Sequence, residues 1–368
     1  MSGPTKLHEP NLARRHRIGK AFEWLCCGST WFGIVVLAVL LVSVFWNAVT
    51  WPAPKAKPAT SATATAQTDA TAAKKAEAEK SSATPLSLKF LGSYDSRHPR
   101  DAGILAGLWG SLWLIVLVAL VSVPIGVGAA IYLEEYSNEG RIKRIIQVNL
   151  SNLAGVPSIV YGLLGLTAFV KMFGVFHKED GKQLVVNLLF TTVEVPLPFD
   201  RALISGALTL TLLVLPTIIV ASQEALRAVP SLIRTASYAL GATQWQTIRH
   251  QVVPAALPGI MTGVILALSR AMGEAAPLML IGALTYVAYC PGDITNFSDF
   301  VKNPHGLLDA PFDKFTALPL QIYNWINHPK AEYAHLAAAG IVVLLTILLM
   351  MNTTAIMIRQ RFQKGARW

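Results

Sequence analysis

Arg270 and Glu274 stand four positions apart inside a mostly apolar run, about 256–289. On a helix that spacing puts both on one face. At the bilayer centre an ionisable group costs about 2.5–3.5 kcal/mol on insertion scales, so such groups turn toward protein or water. Two chemistries fit. In one, Arg270 and Glu274 neutralise each other and hold a bundle together. In the other, they form a transient anion site. A guanidinium is always charged and can hold an oxyanion through two parallel N–H bonds. A carboxylate beside it weakens that hold enough for the anion to leave.

A second polar group surrounds Pro157: Asn149, Ser151, Asn152 and Ser158. Proline removes a helical hydrogen bond and opens the backbone locally, which membrane proteins tolerate where a pathway passes. Asn152 and Ser158 are therefore candidate pathway residues, with hydrogen bonding between helices as the alternative. Tyr161, Trp109 and Trp113 read as packing or interfacial aromatics. Glu134, Glu135 and Glu224 read as solvated acids at helix ends. Cys26, Cys27 and Cys290 form no CxxC and the eight histidines are scattered, so no metal site or disulfide framework is proposed.

The third constellation is a polar stretch, 222–259. Leu232, Ala236 and Leu240 recur at helical spacing. Gly241 then stops that helix, because glycine takes the left-handed cap conformation readily. Thr243 can cap a second short helix carrying Trp245, Ile248 and Val252. Pro254 and Pro258 mark re-entry into apolar sequence. The product is a helix–glycine–helix knuckle. It is either an ordinary helical hairpin or a surface shaped to enter a groove on a partner.

These residues need elements to hold them. Of the 368 residues, 53% are hydrophobic and 14% charged, with mean hydropathy +0.47. Soluble chains usually carry about a quarter charged residues, so lipid is the expected solvent. Six stretches are long and apolar enough to span: about 29–49, 103–133, 146–170, 202–221, 256–289 and 336–357. The first lacks a small-residue cleavage site and reads as an anchor. The predicted fold class is therefore an all-α membrane protein with six transmembrane helices. The net charge of +10 does not point to nucleic acid, since the basic residues flank apolar segments. The N-terminal segment, 141–144, 227–249 and 359–367 all fall on one side, expected to be cytoplasmic. Residues 51–84 are mostly Ala, Thr, Lys, Ser and Pro and read as a flexible linker. The segment 291–332 carries Phe297, Phe300, Phe312, Phe315, Tyr323 and Trp325 and is expected to fold as an outer cap.

No G-x-x-x-x-G-K-[ST], H-E-x-x-H or G-x-S-x-G occurs, so ATP binding through a P-loop and two common hydrolase chemistries lack support. Energy must come from a partner chain or an ion gradient.

The knuckle resembles the coupling loop of ABC importer permeases. Thr235, Ala236 and Ser237 stand where that family has Glu-Ala-Ala. Gly241 matches its glycine, Gln251 stands at its hydrophobic position, and Val253-Pro254 stands at its Leu-Pro. The segments 102–111, 124–136, 152–162 and 268–277 together resemble the phosphate-permease branch of that family, over about 101–358. The resemblance implies a type I ABC importer (MetI-like) core of five helices plus the N-terminal anchor helix. With the apolar N-terminal run and the low-complexity stretch read above, the expected division is a cytoplasmic N-terminus with anchor helix (1–50), a periplasmic linker (51–101), a permease domain (102–358) and a basic tail (359–368). The resemblance implies a multi-pass protein of the bacterial inner membrane with both termini cytoplasmic. No catalysis and no bound cofactor are implied for this chain; ATP and magnesium belong to partner ATPase subunits. The other implied partners are a homologous second permease, a periplasmic phosphate-binding protein and lipid. Arg270, Glu274, Asn152 and Ser158 would line the pathway. Thr235, Ala236, Ser237, Gly241, Trp245 and Pro254 would couple to the ATPase. Glu274 would also accept the proton that hydrogen-phosphate carries and sulfate lacks. A permease for molybdate, sulfate or phosphonate differs by uptake competition, a gradient-driven transporter or channel by having no stable ATPase partner, a membrane enzyme by turnover of the isolated chain, and an inactive scaffold by a dispensable Arg270.

Overall fold

The structure, a computed structural model, describes residues 12–50, 87–171, 184–188, 191–195, 201–283, 287, 289–293 and 309–363. Among them, five helical segments are long and apolar enough to cross a bilayer: Cys27–Val49, Leu105–Tyr136, Leu203–Arg227, Gln244–Gly273 and Glu332–Arg361. A sixth span is a bent pair, Arg141–Ala154 with Ser158–Lys171, turned through 103°.

In chain order, α1 is Leu12–Val49, α2 Leu88–Gly92, α3 Leu105–Ile131, α4 Arg141–Ala154 and α5 Ser158–Gly165. A hairpin follows, β1 (Leu184–Leu188) and β2 (Thr191–Val195), antiparallel with Leu184 opposite Val195. It is a small addition to the all-helical expectation, in a stretch where valine and threonine favour strand. Then come α6 (Leu203–Arg227), α7 (Ser231–Ala239), α8 (Gln244–Thr247), α9 (Val253–Gly273), α10 (Ala276–Ile281), α11 (Leu318–Ile326) and α12 (Glu332–Gln363). Single π-helical turns, Tyr132–Tyr136, Leu166–Lys171 and Ile248–Val252, extend α3 and α5 and join α8 to α9.

The centre of the bundle is α6, whose Leu210, Val214 and Ile218 are almost fully buried. It packs against α3 on one side and α9 on the other. Lipid gives no hydrophobic drive between helices, so close approach comes from small residues. A Cβ added at Gly126 of α3 would lie 2.7 Å from Ile218, and Gly263 of α9 sits directly on Ala221. By contrast, only 6% of the spanning window of α1 is buried, and α1 packs chiefly on α12.

Two expected spans are not single helices. The 146–170 span breaks because Pro157 disfavours helical backbone at Val156 and cannot donate to the preceding turn; α4 ends at Ala154 and Pro157 caps α5 instead. The 256–289 span begins earlier, at Val253, and stops at Gly273. Glu274 is extended (φ −86°, ψ 112°), and Pro277 opens the separate helix α10.

A cap closes one end. Phe315 is fully buried with its ring against Gly206, and Leu318 N donates to Ser111 Oγ at 2.8 Å. Residues 87–101, expected as linker, fold into this cap: Phe90 lies 5.8 Å from the Trp325 ring, and Trp325 Nε1 donates to Asp95 Oδ1 at 3.1 Å. The remainder of the expected linker, 51–86, lies outside the described residues, as do Phe297 and Phe300.

Candidate functional site

Arg270 and Glu274 sit at a helix break rather than mid-helix. Arg270 occupies the last turn of α9 and Glu274 is the residue just past its end. Their contact is a single Nε–Oε1 approach of 3.4 Å. Arg270 is 51% exposed in this isolated chain and Glu274 21%. Among the described residues, the terminal Nη groups of Arg270 have no hydrogen-bond partner. A long, open contact of this kind is a weak fastening. It leaves most of the guanidinium's donors available to an anion.

The break at Glu274 faces the break at Pro157 through the helices that follow each. A Cβ on Gly162 of α5 would meet Pro277 Cα of α10 at 2.7 Å, and Gly165 sits against the Thr209 side chain. Tyr161 is buried and its hydroxyl donates to Leu153 O across the elbow at 2.8 Å, fixing the bend. Trp109 and Trp113 are buried core residues.

Ser158, the first residue of α5, is half-buried on this packed side. Asn152 lies beyond the bend near the end of α4 and is exposed; its carbonyl accepts from Gly155 N. Asn149 and Ser151 donate to Ile145 O and Gln147 O of their own helix, so neither links two helices. The structure thus joins Arg270 with Glu274 and docks the Ser158 helix on α10, while Asn152 stands apart.

The knuckle forms as its local chemistry requires. Gly241 adopts φ +84°, and Thr243 closes a capping box with Gln246. Ser237 Oγ and Thr247 Oγ1 share a 2.8 Å hydrogen bond that folds the two helices together. Thr235 Oγ1 donates back to Ser231 O and Leu232 O. Ala236 and Pro254 are exposed. Leu232 is 75% exposed, Leu240 90% and Trp245 57%, an apolar ridge projecting from the polar end of the bundle.

Glu134 and Glu135 are not solvated. Glu134 is 16% exposed and pairs with Arg227 at 2.9 Å; Glu135 is 7% exposed and pairs with Arg234 at 2.6 Å. Glu224, expected in solvent, is 66% exposed and touches Arg227. These two pairs join residues 93 and 99 positions apart. Sequence spacing carries no trace of them beyond two acids that end an apolar run.

The chain is similar to known proteins over most of its length. The family model for the binding-protein-dependent transport system inner membrane component matches residues 122–363. A relative from Bacillus subtilis (strain 168), "Probable ABC transporter permease protein YqgH", is 38% identical over 202 residues, 53% of this chain and 59% of that protein. The match therefore spans under two thirds of that relative's length. A relative from Mycobacterium tuberculosis (strain CDC 1551 / Oshkosh), "Phosphate transport system permease protein PstA 1", is 31% identical over 258 residues, 70% of each chain. In fold, the chain is similar to a subunit in the crystal structure of a bacterial ABC transporter involved in the import of alginate, with TM-score 0.52 at 14% identity, covering 94% of this chain and 99% of that one.

Proposed function

The chain belongs to the family of binding-protein-dependent transport system inner membrane components, and from that premise we propose that it conducts inorganic phosphate as one permease subunit of an ATP-driven importer. The observation that carries the reading is Arg270, a half-open guanidinium at a helix break, in a chain that shares 31% identity with a phosphate permease. Phosphate offers the paired oxygens that such a group binds. Glu274, 3.4 Å away, lowers the net positive charge, so that the anion is held briefly and released. The broken spans supply backbone polar groups where a hydrated ion passes, as irregular backbone at membrane depth does when it lines a cavity.

Energy enters through partner chains. The ridge of Leu232, Leu240 and Trp245 is the apolar surface an ATPase subunit covers. Thr235, Ala236, Ser237, Gly241 and Pro254 shape the knuckle that carries it. ATP and magnesium bind on those ATPase subunits. A second, homologous permease completes the pathway, and a phosphate-binding protein delivers the ion at the cap end. The knuckle and the basic loops then face the cytoplasm, with both termini. Closure of the ATPase pair draws on the knuckle and turns the pathway outward.

The test is labelled phosphate uptake at low external phosphate by a permease-deficient bacterium carrying this chain with its partner subunits. Arg270→Ala, at unchanged membrane level and ATPase association, should lower uptake by about tenfold or more, since a hydrogen bond to a charged group contributes about 1.5–3 kcal/mol. Normal uptake by Arg270→Ala removes the arginine from the pathway but keeps the permease. Uptake of sulfate or molybdate in place of phosphate by the intact complex replaces the substrate.

A further inference from the structure

One guanidinium gathers three elements at the polar end of the bundle. Arg234 lies on α7, one residue before Thr235. Its Nη2 donates to Glu135 Oε1 at 2.6 Å, and its Nε lies 3.3 Å from both Glu135 oxygens. Its Nη1 donates to Val229 O at 2.8 Å and its Nη2 to Leu226 O at 3.0 Å. Those carbonyls come from the C-terminal end of α6 and the turn after it, where a helix leaves acceptors without partners. Glu135 belongs to the π-helical turn that ends α3. The second knuckle helix ties to the same residue, because Gln244 Nε2 donates to Glu135 O at 2.7 Å.

The remaining fastenings of α7 are slighter. Leu232 and Leu240 face outward, Ile233 is partly buried against the core, and packing otherwise runs to α8 and to the 248–252 turn that leads into α9. Force applied to the exposed ridge therefore reaches α3 and the end of α6 through Arg234 and Glu135, while the helix of Trp245 runs on through the 248–252 turn into α9. The pair is well buried, with Arg234 21% and Glu135 7% exposed. Breaking one partner strands a desolvated charge, so the joint holds or fails as a unit. Such discrete arrangements transmit motion where a compliant surface would absorb it.

We infer that the Glu135–Arg234 pair is the transmission joint of this permease, converting movement of the 231–247 knuckle into movement of α3 and α6 together. The inference rests on the reading of the knuckle as an ATPase dock. It assigns both residues a positioning role, distinct from docking and from anion binding. Movement of α6 then reaches α9, which packs on it and carries Arg270.

The experiment uses the full complex in proteoliposomes with its binding protein, ATP and inorganic phosphate. Glu135→Gln and Arg234→Lys each keep a polar side chain but lose the paired charge or the fork. Both variants should co-purify with the ATPase and hydrolyse ATP, while phosphate moved per ATP falls about tenfold. Glu224→Gln, at the exposed pair, should leave that ratio unchanged. A second readout does not depend on the solute: hydrogen exchange across residues 105–136 when a non-hydrolysable ATP analogue is added. The wild type should respond and both variants should not. An unchanged ratio overturns the joint. So does a nucleotide response in the variants equal to that of the wild type, or loss of ATPase association in both variants. A wild-type complex that hydrolyses ATP but moves no phosphate ends the substrate reading alone, and the exchange readout still judges the joint.

Discussion

Gly162 and Pro277 are in direct backbone contact: a Cβ on the glycine would stand 2.7 Å from the proline Cα, with Leu280 Cδ1 at 3.0 Å. That contact presses two interrupted spans together just beyond their breaks. Gly162→Ala forces backbone on α10 to move, since no flexible side chain end can absorb the overlap. It should destabilise the chain by about 1–3 kcal/mol, as overpacking does. Thermal unfolding in detergent should show a lower midpoint, and phosphate uptake should fall more steeply than membrane level. An unchanged midpoint would mean the helices part freely at this point.

Glu274 has a separable effect from Arg270. With Glu274→Gln the guanidinium keeps its charge and loses its 3.4 Å neighbour. The anion should be held more tightly, so maximal uptake should drop about tenfold while KM does not rise. Sulfate should also compete more strongly if the carboxylate reads the proton on hydrogen-phosphate. Normal uptake with sulfate still excluded would leave Glu274 no part in the pathway.

Gly241 is in open space but at φ +84°. Here the cost of a side chain is conformational, about 1–2 kcal/mol for an ordinary L-residue in the left-handed region. Gly241→Val should weaken recovery of the ATPase with the permease several-fold, and Gly241→Asn should do so less, because asparagine tolerates that region. Equal recovery for all three would detach ATPase docking from the knuckle's shape.

The knuckle was legible because its determinants are local: a stripe at helical spacing, a glycine stop and a threonine cap within a few residues. Membership of the transport-system permease family was legible in four separated segments taken together. The breaks were only half legible. Pro157, Gly273 and Pro277 were all visible, yet inside an apolar run of spanning length such residues are also tolerated within one helix, which hides where the helix stops. Glu134 and Glu135 were misjudged because burial of an acid depends on its cation, and theirs lie 93 and 99 residues away. The fold of 87–101 was missed for a related reason: Phe90 and Asp95 are anchored by Trp325, far along the chain.

Asp95 gives the cap a pH signature. Burial pushes its carboxyl above the usual range, opposed by the Trp325 and Ser96 hydrogen bonds and by His328. The folded cap therefore binds the proton more tightly than the unfolded chain. Its contribution to stability is full below the ordinary value of 3.8 and is lost as pH rises through the raised folded value. Asp95→Asn keeps an acceptor for Trp325 and removes this dependence. Tryptophan-monitored unfolding from pH 4 to 7 should show the variant's advantage over wild type growing as pH rises. A constant difference would mean that Asp95 titrates alike in both states.

The near-nakedness of α1 has a consequence in time. Its chief packing partner, α12, begins at Glu332 and is the last helix among the described residues. At ribosomal speeds of about 5–20 residues per second, α1 waits tens of seconds for the surface it will rest on. Through that interval it must survive as a solitary rod in lipid. A helix apolar around its whole circumference suits such a wait, and Leu37, Leu40, Leu41 and Phe45 are exposed in the isolated chain.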